Sequence, residues 1–205
     1  MSFYDDRVLP HVINSVMNTK QNRQTRARVC AALKGEVLEV GFGTGHNLPF
    51  MPSTVTRLLA VEPSERSVQL ARSRVDASRV PVEVIGLDGQ RLPVDDSAVD
   101  AVLSTWTLCT IPDAVAAVKE ARRVLRPGGS LHFVEHGRSP HPRVHRWQDR
   151  LNGIEQKVAG GCNLNRDIKA IVEAGGFTIR ELDNYYAKGE PKPWGYLYEG
   201  VAVPA

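Results

Sequence analysis

An apolar run that ends in an acid and three alternating glycines, VLEVGFGTGHN at residues 37–47, constrains the fold of this chain more than any other feature. Glycine allows backbone dihedral angles that other residues rarely adopt and lets a ligand approach the main chain closely. A strand, such a loop and then a helix present backbone N–H groups to a nucleotide-like ligand. The sequence therefore predicts a cofactor-binding loop at Gly41–Gly45.

Short apolar runs recur along the chain, and helical patterns lie between several of them. The runs are Glu36–Val40, Arg57–Val61, Val82–Ile85, Ala98–Leu103 and Ser130–Val134, with two later strands near Thr178–Tyr185 and Tyr196–Val203. Residues 64–75 and 113–125 have the N-caps and apolar spacing of helices. This alternation predicts an α/β, Rossmann-like fold: a mostly parallel sheet with helices on both faces.

The 205 residues are organised as one predicted domain. Residues 1–33 form an N-terminal helical cap, residues 34–136 the cofactor-binding core, and residues 137–205 an acceptor-side segment with the final strands. The formal net charge of +3 is too small to indicate a nucleic-acid partner. We expect a cytoplasmic protein, because the chain lacks a signal peptide and an apolar run of the ~18 residues that a membrane span needs.

The three cysteines are Cys30, Cys109 and Cys162. They are odd in number, far apart and without CxxC spacing, so the sequence indicates neither a disulfide framework nor a zinc site. The histidine- and arginine-rich run at residues 136–146 has one helical pair, His141 and His145, and no carboxylate support. We therefore expect no metal and interpret this run as a solvated basic lid or surface, with an anion site as the alternative.

Acidic residues follow successive predicted strands. Glu39 precedes the glycines, Glu62 follows the second strand and Asp88 the third. An acid after the second strand can accept hydrogen bonds from both hydroxyls of a ribose. The alternatives are that the glycines serve only a tight turn, that Glu62 caps the helix near Ser64, and that Asp88 shapes an Asx turn. The third glycine of a dinucleotide fingerprint is absent, which disfavours an oxidoreductase.

Several of these segments resemble the successive motifs of class I S-adenosylmethionine-dependent methyltransferases. They are VLEVGFGTG, AVEP, GLDGQRLPVDDSAVDAVLS and RRVLRPGG, within roughly residues 33–134. The resemblance implies a seven-stranded sheet whose last strand is antiparallel. It also implies that Gly41, Gly43 and Gly45 flank the methionine part of S-adenosyl-L-methionine, that Glu62 holds the ribose, and that Asp88 and Gly89 meet the adenine. Glu39, Pro63 and Thr105 complete the expected cofactor site.

Three further segments, STWTLCTI, FVEH and GGCNLNR, are similar to the methyltransferase-like thiol S-methyltransferases. The core also resembles ubiquinone and menaquinone C-methyltransferases and phospholipid N-methyltransferases. The resemblance therefore implies a small-molecule acceptor: a thiol first, and a quinone or phospholipid as the alternative. The polar start Met1–Asp6 does not match the membrane-anchoring segment of the thiol enzymes, so we expect peripheral membrane contact at most.

Two residues are candidates for the chemistry. His136 follows the fifth strand and is the first candidate for a base, the alternative being a strand-end or solvent-facing histidine. Cys109 follows the fourth strand and could line the acceptor pocket or simply pack there. The predicted substrate contacts are Trp106, Asn163, Asn165 and Arg166, although Asn165 could instead cap the next helix.

Two alternatives belong to other functional classes. A methyltransferase-like scaffold would bind the cofactor without turnover. A nucleic-acid amino-methyltransferase is disfavoured, because the segment Ser104–Thr107 lacks the Asn/Asp-Pro-Pro-aromatic signature of that group.

Overall fold

The computed structural model describes residues 7–86 and 88–205. The polar start Met1–Asp6, on which the membrane-anchor expectation was based, lies outside the described residues. Two helices precede the sheet, α1 (Leu9–Val16) and α2 (Lys20–Cys30). Thr19 caps α2 by accepting a hydrogen bond from the N–H of Asn22 at 3.1 Å.

A seven-stranded sheet follows, in the order β3-β2-β1-β4-β5-β7-β6. The strands are β1 (Gly35–Val40), β2 (Val55–Val61), β3 (Val82–Gly86), β4 (Val99–Thr105), β5 (Leu125–His136), β6 (Phe177–Tyr186) and β7 (Tyr196–Pro204). β7 pairs antiparallel with β5 and with β6, whereas the other pairs are parallel. The predicted fold class is confirmed, including the antiparallel last strand.

Helices cover both faces of this sheet. They are α3 (Glu65–Asp76), α4 (Ala114–Val124), α5 (Pro142–Val158), α6 (Ile168–Ala174) and the short α7 (Lys192–Gly195). Ser64 and Asp113 cap α3 and α4 with their side-chain oxygens, as their positions in the sequence indicate. In β1, Val37 and Leu38 are both fully buried on opposite faces, so the sheet forms a core on each side.

Helix α5, which begins inside the histidine- and arginine-rich run at residues 136–146, was not among the helices that the sequence predicted. Pro142 is at the first turn of α5, where its missing N–H costs no hydrogen bond. The buried Gln148 amide fixes the helix to the preceding segment: it donates to the carbonyl oxygen of Gly137 at 3.0 Å and accepts from the N–H of Ser139 at 2.9 Å. Within the described residues, no helix combines the length and apolar character that crossing a membrane requires.

The parallel strands bring the functional segments to one edge of the sheet. Val40 pairs with Ser104, and Thr105 pairs with Val134, so β1, β4 and β5 end side by side. Ligands bind outside the carboxyl ends of strands in such sheets. His136, the last residue of β5, therefore lies two strands from the glycine loop, about 10 Å at ~4.8 Å per strand.

Candidate active site

The glycine loop turns back over the end of β2. The N–H groups of Gly41 and Phe42 donate to the carbonyl oxygen of Val61 at 2.9 and 3.0 Å. Gly41 has a φ of +75°, and a Cβ added there would lie 2.1 Å from the Thr107 hydroxyl oxygen. At Gly43 the nearest atom to an added Cβ is 3.9 Å away. Packing therefore requires glycine at position 41, whereas position 43 leaves the main chain open to a ligand.

Glu62 connects this loop to the start of α3. Its buried carboxylate accepts hydrogen bonds from the N–H of Gly43 at 2.7 Å and of Ser64 at 2.9 Å. Burial raises the pKa of Glu62 above its ordinary value, although both hydrogen bonds lower it. Because each carboxylate oxygen has two lone pairs, each can still accept a hydrogen bond from a ligand.

The other acid predicted to contact the cofactor is much less enclosed. Asp88 is exposed, and its Oδ1 accepts from the N–H of Gln90 at 2.8 Å, which is the Asx turn that the sequence offered as an alternative. Pro63 is exposed at the end of β2. A Cβ at Gly89 would lie 2.7 Å from Val40 Cγ1, so close packing explains this glycine.

A buried polar network lies behind the loop. Arg26 Nη1 donates to Asn47 Oδ1 at 2.7 Å and to Thr105 Oγ1 at 3.0 Å. Asn47 Nδ2 donates to Glu39 Oε1 at 2.7 Å and also to Thr105 Oγ1 at 3.0 Å. Burial lowers the pKa of Arg26 to about 10 and raises the pKa of Glu39 to about 8. The network therefore joins α2, the glycine loop, β1 and β4.

Sequence reasoning identified Glu39 and Thr105 but missed Arg26 and Asn47. Arg26 is the buried arginine on α2, whereas Arg23 and Arg28 are exposed. A signal was present, because the buried positions of α2 follow helical spacing: Asn22, Thr25, Arg26 and Val29.

Several buried side-chain atoms around the loop make no hydrogen bond within the described residues. They include Arg26 Nε, Glu39 Oε2 and Thr44 Oγ1. Leaving a buried polar atom unpaired costs about 1–3 kcal/mol, so a cluster of such atoms indicates missing ligand contacts.

One cavity of about 510 Å³ is lined by two of these residues, Arg26 and Thr44. Gly43, Thr44 and Arg26 line it on the cofactor side, and α1 and α5 contribute mainly apolar side chains to its wall. Cys109, Thr105, Trp106, His136 and Cys162 line the same cavity. The structure therefore brings both chemical candidates, His136 and Cys109, to one space with the glycine loop.

Cys109, His136 and Cys162 form a cluster on the cavity wall, called the soft-donor cluster below. The two sulfur atoms lie 3.6 Å apart, and Cys162 Sγ lies 3.9 Å from His136 Nδ1. Both cysteines are buried, with exposures of 1% and 6%. Sequence reasoning did not place Cys162 in the site.

The three groups of the soft-donor cluster influence one another's ionisation. The hydrogen bond with Cys109 lowers the pKa of Cys162, as does the neighbouring imidazole, although burial opposes both. The same sulfur–sulfur hydrogen bond, together with burial, raises the pKa of Cys109. Burial lowers the pKa of His136, but interactions with Cys162, Glu190 and Glu135 together outweigh it and the net shift is upward. The pKa values of the two thiols are therefore shifted in opposite directions.

Trp106 lines the cavity between Arg26 and the soft-donor cluster. It has a positive φ of +52°, and its N–H donates to the carbonyl oxygen of Val134 at 2.8 Å. The Arg26 guanidinium lies 4.8 Å from the ring centroid, and the His136 ring meets the indole edge-on at 6.4 Å. Trp106 therefore contacts both the buried network and the soft-donor cluster.

The other predicted substrate contacts have different partners. Asn163 Nδ2 donates to the Cys109 carbonyl oxygen at 2.9 Å, and Asn165 Nδ2 to Asp149 at 2.8 Å. Arg166 Nη1 donates to the Ile111 carbonyl oxygen at 2.6 Å. These bonds hold the loop that carries Cys162 against the end of β4. The structure does not bring these three side chains to the cavity, and the cap of α6 is Asp167 rather than Asn165.

Glu135 holds the backbone of Cys109, one member of the soft-donor cluster. This fully buried carboxylate accepts hydrogen bonds from the Ser104 hydroxyl at 2.7 Å and from the N–H of Cys109 at 3.3 Å. Burial raises the pKa of Glu135. Its contacts fix the turn between β4 and Cys109.

Comparison with known proteins agrees with this geometry. Residues 38–133 match a family model described as a methyltransferase domain. Thiol S-methyltransferase TMT1A of Homo sapiens is 30% identical over 165 residues, which are 78% of this chain and 66% of that protein.

Two other relatives have different acceptors in their names. Demethylmenaquinone methyltransferase of Clavibacter sepedonicus is 31% identical over 66% of this chain and 55% of its own length. Phosphatidylethanolamine N-methyltransferase of Cereibacter sphaeroides is 34% identical over 56% of each protein. The chain thus spans about two thirds of the thiol enzyme and just over half of these two relatives.

A crystal structure of an S-adenosylmethionine-dependent methyltransferase from Aquifex aeolicus has the same fold. Its TM-score is 0.67 at 18% identity, with 96% of this chain and 98% of that chain covered.

Proposed function

Since the chain belongs to the class I S-adenosylmethionine-dependent methyltransferases, we propose that it transfers the methyl group of that cofactor to the sulfur of a small thiol. The observation that carries this proposal is the position of His136 and two cysteines on the cavity that the glycine loop also lines. Similarity to thiol S-methyltransferases over 78% of the chain supports the same acceptor.

The residues around the loop fit the cofactor. Its methionine part carries an ammonium and a carboxylate, and the unpaired atoms there are an acceptor on Glu39, a donor on Arg26 and the Thr44 hydroxyl. The open main chain at Gly43 leaves room for close approach, and Glu62 has lone pairs available for ribose hydroxyls. We propose that these five residues hold the cofactor, with Asp88 and Gly89 toward the adenine.

The bound cofactor supplies a methyl group attached to a positively charged sulfur. The protein has to hold the acceptor in line with that methyl and keep water out. Apolar side chains of α1 and α5 surround the cavity and serve the second purpose. A free thiol with a pKa near ~8.5 is only a few per cent ionised at pH 7, so the His136 imidazole next to the acceptor promotes formation of the reactive thiolate.

Replacing His136 tests this role. In His136→Ala, kcat/KM for a high-pKa alkyl thiol should fall by roughly 100-fold or more, because the thiol must then ionise without help. A low-pKa aryl thiol, which is already ionised, should lose much less. His141→Ala is the matched control, since His141 is exposed and stacks on Tyr186 at 6.0 Å. Equal losses for both thiols would show that His136 is only structural.

A quinone or phospholipid acceptor is the alternative, and exposed apolar side chains on α1 and α5 favour it. Val16 of α1 is 60% exposed and also lines the cavity, whereas Trp147 and Ile154 of α5 are 54% and 62% exposed. Such side chains beside basic residues suit peripheral contact with a lipid surface. Cosedimentation with anionic liposomes, and methylation of lipids in them, would distinguish this alternative. A scaffold without turnover would methylate no acceptor.

A further inference from the structure

Two distances within the soft-donor cluster are close to those between the ligands of a tetrahedral metal site. The ligand atoms of Cys109, His136 and Cys162 all lie within 4.8 Å of one another. With zinc–sulfur bonds of about 2.3 Å and zinc–nitrogen bonds of about 2.0–2.1 Å, tetrahedral angles place sulfurs about 3.8 Å apart and sulfur about 3.6 Å from nitrogen. The observed distances are 3.6 Å between sulfurs and 3.9 Å from Cys162 Sγ to His136 Nδ1.

The charges around the cluster favour a cation. Glu155 and Glu190 line the same cavity, and Glu135 accepts the hydrogen bond from the N–H of Cys109. Arg26, a cation on that cavity, is engaged by Asn47 and Thr105. A divalent ion would therefore meet two thiol groups, an imidazole and nearby carboxylates, which is a ligand set suited to zinc.

We propose that Cys109, His136 and Cys162 bind a zinc-like divalent ion whose fourth position faces the cavity and binds the sulfur of the acceptor thiol. Three protein ligands and one open position are typical of catalytic rather than structural zinc sites. The identity of the acceptor rests on the proposed function, whereas metal binding does not. The sequence suggested no metal because these ligands come from three separate segments that only the fold brings together.

The metal, rather than His136 acting as a base, would promote ionisation of the acceptor thiol. His136 would then serve as a metal ligand. A thiol that coordinates such an ion loses its proton, which passes to the solvent. The acceptor sulfur then forms a bond to the methyl carbon, while the bond from that carbon to the sulfonium breaks and its electron pair goes to the donor sulfur. Both products are neutral thioethers, so the methylated acceptor binds the ion more weakly and leaves. The metal does not change its oxidation state.

Cobalt(II) titration of the reduced full-length chain tests the site without turnover. Tetrahedral cobalt with thiolate ligands gives intense visible bands and a sulfur-to-cobalt charge-transfer band. We expect a single ion per chain, displaced by zinc. Cys162→Ser, Cys109→Ser and His136→Ala should each weaken binding by more than about 100-fold, since even outer-shell partners cost about 10- to 100-fold. Cys30→Ala is the matched control, because Cys30 is a buried cysteine in a core cluster that contains neither Cys109 nor Cys162.

Adding 2-mercaptoethanol should then strengthen the charge-transfer band, as a further sulfur enters the open position. Absence of cobalt binding in the folded wild-type protein, or undiminished binding by Cys162→Ser, would overturn the metal site. If such a protein still methylates thiols, the proposed function survives. Cobalt binding without a response to the thiol would overturn the role in acceptor binding. If the protein binds cobalt and the spectrum responds to the thiol, but no thiol is methylated, the proposed function is refuted and the metal site remains supported.

Discussion

Glu62 links the glycine loop to the start of α3, and it is also proposed to bind the cofactor. Its carboxylate already accepts two backbone hydrogen bonds, and the same oxygens are proposed to accept from the ribose. Calorimetry on Glu62→Ala should show adenosylmethionine binding weakened by ~1–3 kcal/mol, because buried hydroxyls would lack a partner. Glu83→Ala, which removes an exposed acid from β3, should bind normally. Unchanged affinity in folded Glu62→Ala would remove Glu62 from the site.

The raised pKa of Glu39 predicts how the free energy of unfolding depends on pH. Burial raises its pKa from 4.5 to about 8 in the folded protein. Between these values the unfolded chain has lost the proton that the folded chain keeps, so the contribution of Glu39 is fully present below pH 4.5 and is lost as pH rises toward about 8. Glu39→Gln cannot ionise. Its free energy of unfolding relative to wild type should therefore increase over this range.

Denaturant titrations of both proteins without cofactor, at several pH values, measure this difference. Titrating groups that do not interact with Glu39 contribute equally to the two proteins and cancel. A difference that stays constant across the range would mean that Glu39 keeps an ordinary pKa in the folded state.

Some residues of the candidate site could be predicted from the sequence, and others could not. Glu39, Glu62, Cys109 and His136 could be placed at strand ends because parallel strands end at one edge of the sheet. Cys162 could not, because it lies 53 residues after Cys109 and reaches it only through a loop held by Asn163. Contacts of this kind depend on tertiary packing and have no local periodicity.

At the scale of elements, α1 and α5 are two parts of the cavity wall that lie outside the regular βα repeat. We expect them to close over the bound ligands, because the reacting methyl needs shelter from water. Hydrogen exchange should therefore slow in both helices when cofactor and acceptor are bound, and less in α4, whose side chains pack in the core on one face of the sheet. No change in α1 or α5 would contradict the lid assignment.

The elements themselves were predictable to different degrees. The strands of the parallel core were found from their apolar runs, and the caps of α3 and α4 from Ser64 and Asp113. Helix α5 was not found, because its residues are rich in arginine and polar side chains and two prolines, Pro140 and Pro142, precede and begin it. Its helical state depends on Gln148 and on packing near the cavity rather than on a strong apolar pattern.

At the scale of the whole molecule, one cavity joins the glycine loop after β1 to the soft-donor cluster beyond β4 and β5. The relatives carry thiol, menaquinone and phospholipid acceptors in their names. The acceptor therefore has to be determined by reaction.

The most direct measurement incubates the purified full chain with methyl-labelled adenosylmethionine and a panel of thiols, phenols, quinols and phosphatidylethanolamine liposomes. Mass spectrometry would quantify labelled products and adenosylhomocysteine. We expect labelled S-methyl thioethers in amounts equal to adenosylhomocysteine, with a higher kcat/KM for thiols than for phenols, quinols or phosphatidylethanolamine. Label on a quinol or on phosphatidylethanolamine, with no thiol methylated, would contradict the thiol assignment.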